Sequence, residues 1–165
     1  MTIQRDSYLR EIQGIRGDVV RTLDGMDYCL DWKLDDDEWS AREVVYHLVD
    51  TPSRGIHEVL KGMLVGSIQE VSLTGGLINL TSERQEGDLD RVRADVEAVL
   101  VGVEMALSSA TDTRLVERSV IFNLISKGTR EERTAQTIVE HMVIHWRSHL
   151  GQLAAIRDAL GLDWE

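Results

Sequence analysis

Proline occurs once in this chain of 165 residues, as Pro52. Proline breaks helix interiors, so a chain nearly free of it tolerates long helices. Cysteine also occurs once, as Cys29, which rules out a disulfide framework. No run approaches the roughly 20 apolar residues needed to span a bilayer. The segment Met1 to Arg10 is polar and mixed in charge, so no signal peptide is expected and the expected setting is cytoplasmic. Basic residues are outnumbered, 18 Lys and Arg against 29 Asp and Glu, for a net charge of −11. A nucleic-acid binder needs a basic stripe to meet phosphates, so that class is set aside. There is no internal repeat, low-complexity tract or linker. The 42% hydrophobic and 28% charged content fits one soluble domain over residues 1–165.

What is present is helical periodicity. Tyr8, Leu9, Ile12, Ile15, Val19 and Leu23 recur at steps of three and four, predicting an amphipathic helix from about Thr2 to Met26. After an acidic, aromatic stretch, Ser40-Ala-Arg-Glu43 has the form of a capping box. A second helix is predicted from Ala41 to about Leu64, kinked or cut by Pro52. Val65 to Gly87 reads as irregular, with a short extended piece near Val71. A third helix begins near Asp88, with an apolar stripe from Leu89 to Leu107. Ala110 to Arg133 reads as a connection in which Ser119 to Asn123 is extended and Lys127-Gly-Thr turns. The fourth helix runs from about Thr134 to Leu160, with Gly161 as its C-terminal cap. Four helices of this length predict an all-α four-helix bundle.

His141, His145 and His149 follow one another at steps of four, so all three lie close to one helix face. His145 and His149 share a stripe with Ile138, Met142, Gln152, Leu153 and Ile156. That stripe is largely apolar, which turns the imidazoles towards the bundle core. Burying imidazoles among apolar groups is costly unless they are paired or coordinated. A divalent metal satisfies them directly, and neutral imidazole suits zinc, nickel, copper and iron. His47 has Val44, Leu48 and Thr51 as same-face neighbours, so it too looks inward and is a cross-helix ligand candidate. Three protein ligands with an open position is the usual form of a catalytic zinc site. His57 has no such partners and reads as a surface or helix-end residue. The four tryptophans read as core or loop packing, with Trp146, off the His145 face, serving a helix contact or a dimer surface. Cys29 reads as a buried residue of a loop.

Two segments carry a resemblance. Trp39-Ser-Ala-Arg-Glu-Val-Val-Tyr-His47-Leu-Val-Asp50 and His141-Met-Val-Ile-His145-Trp-Arg-Ser-His149-Leu-Gly-Gln152-Leu153 resemble the DinB/YfiT-like family. Its pattern is a Trp-Ser helix start leading to a His-Leu pair, then a HxxxH step running into a His-x-Gly-Gln ending. The resemblance spans nearly the whole chain. It implies an up-down-down-up bundle with long crossover connections. It also implies a metal held by His47, His145 and His149, with His141 lining the pocket instead. Where some relatives carry a double histidine, this chain has Ser148-His149.

Family members of known activity are thiol-dependent S-transferases and a maleylpyruvate isomerase, so the resemblance implies a low-molecular-weight thiol as cosubstrate and a homodimer. The function expected is a zinc- or nickel-dependent S-transferase acting on a small-molecule electrophile. In it, His141 or Asp50 assists proton transfer and Asp50, one turn after His47, orients that imidazole. The alternatives are a metal-dependent hydrolase using an activated water, a metal-holding stress-response module without turnover, and a bundle whose histidines hold nothing.

Overall fold

The computed structural model describes residues 4–164. Four columns of helix carry the core. They are α1 (Gln4–Leu23), α2 and α3 (Ala41–Val49 and Ile56–Val65) taken together, α5 (Leu89–Ser109) and α7 (Ala135–Ala159). Two short helices, α4 (Ser82–Glu86) and α6 (Asp112–Glu117), lie in the connections. The α1 column packs against α5 and α7, and so does the α2–α3 column, so those two columns occupy opposite corners of the bundle.

Local chemistry sets the ends of these elements. Ser40 Oγ accepts from the Glu43 N–H at 3.3 Å while the Glu43 carboxylate accepts from the Ser40 N–H at 2.8 Å, closing the capping box that starts α2. The single helix expected from Ala41 to Leu64 is two. Pro52 withholds a backbone N–H, and Arg54 and Gly55 beyond it take left-handed φ values of 74° and 89°, which no α-helix accommodates. At the far end Gly161, at φ 67°, terminates α7.

The all-α expectation needs one correction, because the two long connections meet in a three-stranded sheet. Its strands are β1 (Glu70–Leu73), β2 (Ser119–Leu124) and β3 (Thr129–Thr134). The order is β1-β2-β3, with β1 parallel and β3 antiparallel to β2. A parallel pair needs a crossover, and the path through α4, α5 and α6 supplies it. Val120, Phe122 and Leu124 point into the core. The register sets Glu131 opposite Phe122 and Arg133 opposite Val120, so these two charged side chains share the inward face of the sheet.

Trp146 is almost fully buried, at 1% exposure, and makes the helix contact. His57 does stand at a helix end, but its ring is half-buried against α5 at Gly102. A Cβ on Gly102 would lie 2.7 Å from His57 Cδ2, so α3 and α5 approach closely because that position lacks a side chain. No helix among the described residues is long and apolar enough to cross a membrane.

Candidate metal centre

His47 comes from the last turn of α2, and His145 and His149 from successive turns of α7. Their candidate ligand atoms all lie within 4.8 Å of one another. His145 Nε2 stands 3.0 Å from His47 Nε2 and 3.0 Å from His149 Nε2. His47 is buried at 4% exposure, and the other two are partly buried.

The outward nitrogens fix the tautomers. His47 Nδ1 is 2.6 Å from the Leu77 carbonyl, which can only accept, so Nδ1 carries the proton. His149 Nδ1 donates in the same way to Gln152 Oε1 at 2.5 Å. In the neutral rings both Nε2 atoms therefore present lone pairs to His145 Nε2. That nitrogen can offer at most one proton, so at least one of the two 3.0 Å contacts sets lone pair against lone pair. A cation at the point of convergence satisfies all three nitrogens together, so the donor set fits a divalent metal.

Burial favours the neutral form of two of these rings, His47 and His145. Burial, with the neighbouring His149 and His47, pushes His145 down to about 4. His47 is also lowered, chiefly by burial and further by His149, against the opposing pull of the Leu77 carbonyl. Neutral imidazole is the ligating form.

The residues around the triad carry signals the sequence analysis did not assign. Trp39, just before the N-cap, stacks on His149 with ring centroids 5.9 Å apart and planes 9° apart, and tilts against His47 at 4.8 Å. Its Trp-Ser context at a helix start was the available cue. Leu77 acts through its backbone carbonyl, for which no side-chain signal exists.

Asp50 does not contact the His47 imidazole as expected. Its carboxylate accepts from Arg84 Nη1 at 2.5 Å, and the partner of His47 Nδ1 is the Leu77 carbonyl. The same Arg84 nitrogen donates to the Asn79 carbonyl at 2.8 Å, and the guanidinium lies 4.7 Å from the Tyr46 ring centroid. The Asn79 side-chain amide donates to the Leu77 and Asp50 carbonyls, each at 3.4 Å. Asp50 and Arg84 thus pin the loop that carries the Leu77 carbonyl onto His47.

His141 is exposed and stays outside the triad, but it lines a cavity of about 300 Å³ that His47 and His145 also border. Apolar walls come from Ile56, Leu73, Phe122, Ile138, Met142 and Trp146. The volume stands at the small end of the range for small-molecule sites.

Comparison with known proteins agrees with this architecture. The chain resembles the solved structure of YfiT from Bacillus subtilis, described as "a probable metal-dependent hydrolase with an unusual four-helix bundle topology". The TM-score is 0.75 and the identity 18%, over 97% of this chain and 89% of that one, which establishes a shared fold. No curated protein matches the chain in sequence. The model of the DinB superfamily matches residues 15–153, a span that takes in α2 with His47 and α7 through His149 and Gln152. The chain belongs to the DinB superfamily.

Proposed function

We propose that this protein is a divalent-metal-dependent enzyme that transfers a small thiol onto a small electrophile at the three-histidine centre. The observation that carries the reading is the convergence of three imidazole nitrogens beside an apolar cavity, with the outer nitrogens of His47 and His149 turned towards acceptors. Zinc or nickel suits this donor set and, when bound, supplies the positive charge that lowers the pKa of a thiol or water beside it.

The chain's own residues perform the remaining tasks. His47, His145 and His149 hold the ion, and the Leu77 carbonyl and Gln152 amide fix two of those rings in the ligating tautomer. The walls exclude water from the electrophile. His141, one turn before His145 on the cavity wall, is the group placed to move a proton at the substrate. Asp50 contributes at a distance, through Arg84 and the loop. The chain's one thiol, Cys29, is buried and its pKa is raised, foremost by burial, so the nucleophile comes from outside the chain.

The second reading is hydrolysis by an activated water, favoured by the structural likeness to YfiT. Zinc- or nickel-loaded protein, purified without a histidine tag, separates the two. A haloalkane or epoxide consumed only with a low-molecular-weight thiol supports transfer. Ester or amide cleavage without any thiol supports hydrolysis instead, and turnover of neither class contradicts the enzyme reading.

A further inference from the structure

The inward face of the sheet carries an ion pair beside an apolar cavity. Arg133 donates through Nε at 3.2 Å and Nη2 at 2.8 Å to a single carboxylate oxygen of Glu131. The guanidinium lies 5.1 Å from the Phe122 ring centroid, a cation–π contact with a residue of the cavity wall. The two partners differ in placement. The Arg133 side chain is 16% exposed and lines the cavity, whereas the Glu131 side chain is 45% exposed and does not. Of the pair, only Arg133 belongs to the cavity wall, where its guanidinium lies over Phe122, and Glu131 is the more exposed partner.

The cavity wall runs along α7 from His145 past Met142, His141 and Ile138 towards Arg133, which stands just before the helix begins. At about 1.5 Å of rise per residue the helical part from Ala135 to His145 is roughly 15 Å, and Arg133 stands two residues beyond it. One end is basic, the middle apolar, and the other end is the histidine centre.

We propose that this cavity selects small molecules with an apolar body and a terminal carboxylate. Arg133 holds the carboxylate, and the opposite end of the molecule reaches His47 and His145. The placement of the reactive end rests on the metal-centre reading, but the recognition of the carboxylate does not. A planar guanidinium at a water-poor wall is suited to bidentate carboxylate binding. An arriving carboxylate competes with Glu131 for the same donors.

Calorimetry on the metal-free protein at about pH 8, where imidazoles are ordinarily neutral, tests this without the metal. The probes are octanoate and 1-octanol, which share the chain and differ in charge. Octanoate is expected to bind at least about tenfold tighter than the alcohol, the scale of one charge-assisted hydrogen bond. R133Q is expected to abolish that preference while leaving octanol affinity and zinc binding unchanged. E131Q is expected to tighten octanoate binding several-fold by removing the competitor, an outcome that a misfolded variant cannot imitate. Equal affinity for the two probes, or an undiminished octanoate preference in R133Q, overturns the proposal. Failure to bind zinc at all removes the metal reading alone.

Discussion

His145 stands between two imidazole nitrogens, each 3.0 Å away, in a neighbourhood that drives its own proton affinity down to about 4. Three imidazole rings aimed at one point are poor company without a cation and good ligands with one. Their quality depends on groups that touch no metal. The Leu77 carbonyl selects the His47 tautomer, and Arg84 holds that loop through Asp50 and Asn79. Removing such outer partners typically costs 10- to 100-fold in metal affinity. R84A is accordingly expected to weaken zinc binding by about that factor in a competition titration against a chelator, with helical content unchanged. Unaltered affinity would show that the loop does not position His47. The sequence made His145 and His149 visible because a step of four on a helix is local geometry. Leu77 was hidden because a backbone carbonyl has no residue identity. Asp50 was read by its nearness to His47, while its partner Arg84 lies far along the chain and is brought in by α4.

At the scale of elements, the close approach of α3 and α5 rests on one missing side chain. A Cβ on Gly102 would lie 2.7 Å from His57 Cδ2 and 2.8 Å from His57 Cβ, so the ring cannot simply swing clear. G102A is expected to destabilise the protein by about 1–3 kcal/mol, the usual cost of overpacking. The H57A substitution in the same chain should recover much of that loss, which a double-mutant cycle on denaturant midpoints would measure. Additive effects would place the strain elsewhere. The helices themselves were largely legible, since apolar steps of three and four and the Ser40–Glu43 capping box are strong local signals. The sheet was only half legible. The stretch from Ser119 to Asn123 reads as extended from its apolar Val120-Ile121-Phe122 run, and its burial alternates in β2. By contrast β3 reads Thr-Arg-Glu-Glu-Arg-Thr, whose inward residues Glu131 and Arg133 are charged, so hydrophobic patterning gives it no signature.

For the whole molecule, stability and metal binding are linked through the histidines. His47, His57 and His145 are all held below the ordinary imidazole value, each chiefly by burial. The unfolded chain takes up protons near 6.5 that the fold refuses, so stability is lost as pH falls below that value. For His145 the loss levels off near 4, where the folded state is protonated too. Thermal melts of the metal-free protein are therefore expected to be flat between about pH 7 and 8 and to fall steadily below 6.5. A midpoint that rises on acidification would contradict the burial of these rings. Saturating zinc should raise the midpoint at neutral pH, and the gain should vanish in acid as protons compete for the ligands. The central claim is that His47, His145 and His149 form one metal centre. Its most direct test is the metal content of untagged protein after exposure to zinc and dialysis, for the native chain and for H47A, H145A, H149A and H141A. About one equivalent in the native chain and in H141A, with loss in the other three variants, is the predicted result. Full retention of metal in H145A would contradict it.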